Sequence, residues 1–260
     1  MTPPTTDPQT WIRQFHPAAD DAVRLVCFPH AGGSASFYFP VSAQLSPAVD
    51  VRAVQYPGRQ DRRAEPTIDD LHRLADALVP ALRPLADRPL AFFGHSMGAV
   101  VAYEVALRLA AAGAPPLVRL FVSGRRAPSR VRTESVHERD DQGIVAELQR
   151  LSGTDAGLLD DPETRAMILP AIRGDYRAIE TYRVAPGSTV HAPLSVLVGD
   201  SDPQVTLDEA RAWSEHTTGP VDLRVFPGGH FYLSERSGEV IRLVADELAD
   251  AARPDATPRA

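Results

Sequence analysis

The chain has 260 residues, 43% of them hydrophobic and 23% charged, a length that buries one sizeable core as a single domain. Its net charge of −7, with no long basic run, argues against duplex binding. No apolar run approaches the ~18 residues of a membrane span. The single cysteine, Cys27, excludes an internal disulfide and sits in an apolar run as a small buried hydrophobe.

In chain order, residues 1–10 are rich in Pro, Asp and Thr and are expected to be disordered. They carry neither a basic n-region nor an apolar h-region, so no signal peptide is read and a cytoplasmic location is expected. "VRLVCF" (23–28) and "VDVRAVQY" (49–56) read as buried strands. A helical pattern follows at 67–83, then the strand "PLAFFG" (89–94), a helix at 98–112 and the strand "VRLFVSG" (118–124). Residues 126–190 hold no convincing strand but two helical stretches, 138–151 and 162–182, separated by "SGTDAGLLDDP". "PLSVLVG" (193–199), a helix at 206–217, "VDLRVFPG" (221–228) and a helix at 237–252 complete the alternation. Residues 252–260 are expected to be a second disordered tail. Strand–helix alternation of this kind predicts an α/β fold with a mostly parallel sheet, and 126–190 reads as a helical insertion capping one edge. A helical hairpin that merely buries core is the alternative.

Gly94-His95-Ser96-Met97-Gly98 stands between a strand and a helix. A G-x-S-x-G sequence in that position predicts a tight elbow with the serine at its apex, above the carboxyl ends of the strands. A serine hydroxyl is a poor nucleophile near neutral pH, so it needs a base, and the base needs an orienting acid. In this arrangement the order along the chain is Ser, acid, His. His230, after the last apolar strand in "FPGGH", has the right order and a loop position. His16, His72, His137, His191 and His216 lie in polar or helical contexts and read as surface residues. The acid comes from "VGDSDPQV", where Asp202 is favoured over Asp200 by its spacing from Gly199. An oxyanion needs two preorganised N–H donors. Met97, after the serine, should supply one, and Ala31 in the glycine-rich loop "FPHAGGS" the other. No G-K-[ST] follows that loop, so a phosphate-binding loop fits poorly.

The segments "FPHAGGSASFYFP", "VQYPGRQDR", "FFGHSMGAVVAYEVA", "ILPAIRGDYRAIETYR", "VLVGDSDPQV" and "FPGGHFYL" resemble the type II thioesterases, the free-standing editing hydrolases of polyketide synthases and nonribosomal peptide synthetases. The likeness runs over about residues 11–250. It implies an α/β-hydrolase fold with a helical lid and hydrolysis of aberrant or stalled acyl groups from the 4′-phosphopantetheine arm of acyl or peptidyl carrier proteins. No metal or cofactor is implied, because a thiolate leaves readily. Nucleic acid and membrane are not expected as partners, and a monomer is expected. The residues alone show only a serine hydrolase, so a general carboxylesterase or lipase is the rival, and a non-enzymatic scaffold a more distant one.

Two further expectations concern the lid. Arg125, Arg126, Arg130 and Arg132 in "GRRAPSRVR" could meet an acidic carrier protein or pair with nearby acids. Ile168, Ile172, Tyr176 and Ile179 share a helix face by spacing, and with Met167, Leu158 and Leu159 they either line an acyl chamber or pack on the core.

Overall fold

Apolar runs with few turn residues extend into strands, and the computed structural model, which describes residues 8–151 and 161–251, places all six expected strands in one sheet. They are β2 (Val23–Phe28), β3 (Val49–Val54), β4 (Leu90–His95), β5 (Arg119–Ser123), β6 (Leu194–Gly199) and β7 (Val221–Phe226). A two-residue strand not read from sequence, β1 (Ile12–Arg13), pairs antiparallel with β3; every other pairing is parallel. The order is β1-β3-β2-β4-β5-β6-β7. β4 is therefore central, and its register sets Phe28 of β2 and Val122 of β5 on either side of Gly94.

Both faces of the sheet are covered at its centre, which is why β4 and β6 are buried throughout, whereas the edge strand β7 alternates exposed Asp222 and Arg224 with half-buried Val221 and Leu223. Val26, Phe28, Leu90 and Phe92 face a core shared with α3 (Leu71–Leu82) and α4 (Met97–Ala111). Leu25, Cys27, Ala91 and Phe93 face the other core, where α9 (Ser237–Ala251) contributes Val240, Ile241 and Val244. The successive apolar residues of the central strands alternate between these two cores.

Helix α3 starts four residues later than its apolar pattern suggests, because Asp70 accepts the Arg73 N–H at 2.9 Å and caps it there. The helix expected at 206–217 divides into α7 (Leu207–Arg211) and a 3-10 turn over Ala212–His216. Helices α2 (Phe39–Leu45) and α8 (Tyr232–Glu235) were not legible as periodic patterns, being too short. Residues 8–10, expected in a tail, belong instead to a short helix, α1 (Pro8–Trp11). Trp11 is fully buried and lies under the Arg62 guanidinium, 4.0 Å from its ring centroid, which ties this end of the chain to the core. Residues 1–7 and 252–260, and the 152–160 connector with Leu158 and Leu159, lie outside the described residues.

Between β5 and β6 the chain forms a 3-10 turn at Val136–Glu138, helix α5 (Asp141–Leu151) and helix α6 (Pro162–Thr181). Asp161 caps α6 by accepting the Thr164 N–H at 2.8 Å, and Pro162 occupies its first turn. Val136, Ile144, Leu148, Leu169, Ile172 and Tyr176 form a small apolar cluster separate from the two main cores. Among the described residues no helix is long and apolar enough to cross a membrane.

Candidate active site

The elbow is built by close backbone approach. A Cβ on Gly98 would lie 2.1 Å from the Phe28 carbonyl oxygen, and one on Gly94 would lie 2.2 Å from the Gly98 oxygen. Only glycine lets β4 turn into α4 that tightly. At the apex Ser96 has φ +54° and ψ −120°, a conformation few non-glycine residues adopt. Its N–H donates to the Ser123 carbonyl at 2.8 Å, which helps hold that geometry.

His230 stands on the loop after β7, with its Nε2 3.0 Å from Ser96 Oγ. Its Nδ1 lies 2.9 and 3.0 Å from the two Asp202 carboxylate oxygens, and both side chains are almost wholly buried. A carboxylate only accepts, so Nδ1–H is the donor there and Nε2 is left to accept the Ser96 hydroxyl proton. Asp202 is itself held by the Gln204 N–H at 2.8 Å. Asp200 points elsewhere and accepts the Gly228 N–H at 3.1 Å.

The glycine-rich loop after β2 brings Ala31 to the same cavity as Ser96 and Met97. Among the described residues neither the Ala31 nor the Met97 amide is engaged by a chain acceptor. Gly32, at φ +77°, donates its N–H to Asp175 Oδ2 at 2.8 Å. Asp175 in turn forms a bidentate pair with Arg59, at 2.7 and 2.8 Å, and Arg59 also donates to the Gly33 carbonyl at 3.1 Å. The loop is thus clamped between the segment after β3 and helix α6. The cavity above Ser96 measures about 340 Å³ and is roofed by Leu148, Leu151, Tyr176 and Ile179.

A nucleophile elbow, a Ser-His-Asp line and two free amides beside one cavity are the parts of an acyl-transferring hydrolase. The thioesterase domain model matches residues 23–248. The chain is 55% identical over 257 residues to a probable cadicidin biosynthesis thioesterase of Streptomyces griseus, covering 98% of this chain and 70% of that protein. It is 48% identical to thioesterase PikA5 of Streptomyces venezuelae, over 95% of this chain and 88% of the relative. The type II thioesterase BorB of the borrelidin biosynthetic cluster superposes with a TM-score of 0.86 at 54% identity, over 92% of this chain and 98% of BorB. The chain belongs to the thioesterase family. Within it, this thioesterase falls with the type II enzymes of polyketide and nonribosomal peptide biosynthesis, on the α/β-hydrolase fold.

Two more histidines surround His230 in the thioesterase. The His95 ring packs 5.0 Å from that of His230, and both His30 and His95 pack on Phe231. Burial, then repulsion from His230, pushes His30 down to about 3, with Arg59 adding. The same two causes hold His95 well below the usual imidazole range, with His30 adding. Both are therefore neutral at physiological pH and place no second cation against His230. His95 Nδ1 lies 3.0 Å from Ser123 Oγ, which is 2.7 Å from the Tyr232 hydroxyl.

Several expectations need correction. Of the lid residues, Tyr176 and Ile179 line the cavity, but Met167, Ile168 and Ile172 do not. Met167 is 58% exposed although Ala171, Gly174 and Ala178, on the same line of α6, are buried, because burial along this helix begins only at Leu169. Ile168 and Ile172 pack in the small lid cluster, and Ile172 also abuts Gly32. His216 is buried rather than on the surface, between Tyr103 and Ser129. His137 is part-buried and bonded to Glu180. Of the two readings of the arginine stretch, pairing with nearby acids holds for Arg126, Arg130 and Arg132, which meet Glu134, Glu215 and Glu209.

Sequence reasoning missed Arg59 and Asp175. Both lay inside segments that carried the family likeness, "VQYPGRQDR" and "ILPAIRGDYRAIETYR", but 116 residues separate them and no local pattern links them. Among the described residues no group of three or more His, Cys, Asp or Glu side chains is arranged to hold a metal ion.

Proposed function

We propose that this thioesterase clears aberrant or stalled acyl groups from the 4′-phosphopantetheine arm of acyl or peptidyl carrier proteins, as a single-domain monomer acting in the cytoplasm beside its synthase. Ser96 is the nucleophile, His230 the general base and Asp202 the acid that orients it. The unbroken line from Asp202 through His230 to Ser96 is the observation that carries this reading.

In the first step Ser96 Oγ attacks the thioester carbonyl carbon while His230 Nε2 takes the hydroxyl proton. Asp202 stabilises the imidazolium and holds its tautomer. The tetrahedral oxyanion is received by the amides of Ala31 and Met97, which no acceptor among the described residues competes for. The C–S bond then breaks and the proton passes from His230 to the departing thiolate. In the second step water attacks the acyl-serine ester and gives a proton to His230. The C–O bond to Ser96 breaks, Ser96 regains that proton, and the carboxylic acid leaves. Helices α5 and α6 act as the lid, with Tyr176 and Ile179 bounding the acyl group.

A fluorophosphonate should label wild type at Ser96 and leave Ser96→Ala unlabelled, with the fold intact by circular dichroism. Hydrolysis of an acyl-carrier protein should exceed that of the matching acyl-pantetheine in kcat/KM. Equal values for the two would favour a general carboxylesterase, and labelling of Ser96→Ala would overturn the nucleophile assignment.

A further inference from the structure

Arg125 follows Gly124 at the end of β5 and is 8% exposed. It lines the cavity that holds Ser96 and His230. Yet among the described residues no acceptor reaches its guanidinium by hydrogen bond or ion pair. The other charges of this chamber are engaged. Glu134 is paired with Arg126, and Glu147 with Arg139 and Arg150. Glu180 accepts the Val136 and His137 amides and bonds the His137 ring. Glu134 and Glu180 act on Arg125 only at longer range. Burial, with Arg126 adding, lowers its pKa to about 9, so it remains a cation at neutral pH.

A largely buried cation whose donors open onto a chamber, with no protein acceptor among the described residues, is costly to keep, and proteins rarely keep one without a use. A second space that Arg125 borders is a cleft of about 20 Å³, room for a water but not for a ligand group. The acyl chamber is therefore where its donors can be satisfied. We propose that Arg125 forms an oxygen-binding subsite there, donating to an acceptor oxygen that the acyl group carries beyond the thioester carbonyl. A β-hydroxyl, β-keto or carboxylate oxygen has the required chemistry, whereas a plain alkyl chain leaves the guanidinium unpaired. Such a subsite would make the enzyme favour oxygenated acyl groups over saturated ones of equal length. This inference rests on the thioesterase reading of the site.

The test uses butyryl-, 3-hydroxybutyryl- and succinyl-pantetheine, all of four carbons, with wild type and Arg125→Met. Free pantetheine thioesters keep carrier docking out of the comparison. The ratio of kcat/KM for an oxygenated chain to that for butyryl should fall about tenfold or more in Arg125→Met, the range of a hydrogen bond to a charged group. A fall for 3-hydroxybutyryl identifies a neutral oxygen as the ligand, and a fall for succinyl alone identifies a carboxylate. An unchanged ratio for both overturns the subsite while butyryl turnover leaves the thioesterase reading standing. If wild type turns over none of the three, the same ratio is read on the matching acyl-carrier proteins, and absence of turnover there would overturn both. Should Arg125→Met not fold, free 3-hydroxybutyrate and succinate are compared with butyrate as competitive inhibitors of wild type. Tighter inhibition by an oxygenated acid supports the subsite, and equal inhibition by all three overturns it.

Discussion

Replacing Asp175 by Asn tests the clamp on the oxyanion loop. The change preserves shape but removes the charge that faces Arg59. Arg59 is 9% exposed and Asp175 2%, so the guanidinium is left as an uncompensated cation in a dry setting. Breaking a buried pair from one side costs about 3–5 kcal/mol. At about 2–4 °C per kcal/mol for a domain of this size, the melting temperature should fall by roughly 6–20 °C. The same change weakens the acceptor for the Gly32 N–H, and Gly32 adjoins Ala31. Loss of one oxyanion donor costs about 10²–10³ in kcat, so a loop that shifts without leaving should cost roughly tenfold to a hundredfold. Acyl-pantetheine hydrolysis is measured well below the melting point, with circular dichroism as the control for folding. The double variant Arg59→Met/Asp175→Leu separates the two effects. Apolar replacement of both partners should restore much of the stability. It should not restore kcat, because the apolar replacement at 175 offers the Gly32 N–H no acceptor. A normal kcat in Asp175→Asn alongside a lowered melting temperature would refute the role in positioning the loop. An unchanged melting temperature would refute the buried pair itself.

Asp202→Asn should lower kcat by about 10⁴, since the amide disturbs the imidazole tautomer, while Asp200→Asn should cost far less because Asp200 only holds the Gly228 amide. The opposite ranking in a steady-state assay would show that the wrong carboxylate had been assigned. Ile179→Ala should enlarge the chamber and shift preference toward longer acyl chains, by about fourfold for each methylene newly buried. Met167→Ala should not, and a length series that gave parallel profiles for wild type and Ile179→Ala would show that Ile179 does not bound the acyl group. Stability should fall as pH drops below 6.5. Buried His30 and His95 have native pKa values below their unfolded ones, so the unfolded chain binds protons first. At pH 5.5 each contributes a loss on the order of 1 kcal/mol, seen as a lower urea midpoint than at pH 7; equal midpoints would contradict their neutral burial. Arg130→Ala and Arg132→Ala should leave KM for an acyl-carrier protein unchanged, because both side chains are already paired with acids. A raised KM at low salt would restore these arginines to the docking surface.

The strands, the elbow and the order of Ser96, Asp202 and His230 were legible in the sequence because each depends on neighbours a few residues away. Apolar runs such as "VRLVCF" and "PLAFFG" are too short for a buried helix, and their β-branched and aromatic content and Pro or Gly ends favour a strand covered on both faces. Gly94 and Gly98 flank Ser96 because the turn leaves no room for a Cβ, a requirement local to five residues. Tertiary structure alone decided what depends on how distant surfaces dock. The helical spacing of α6 marked one apolar face, but whether Ile172 or Ile179 reached the chamber depended on where that face meets the oxyanion loop. The same docking brings Asp175 to Arg59 and leaves the Arg125 guanidinium without an acceptor among the described residues, while Arg126, Arg130 and Arg132 beside it find carboxylates. Those four arginines are alike in one short stretch of sequence. Their charges diverge in role because an ion pair forms where the fold brings a carboxylate within reach, and nothing within the stretch encodes that distance.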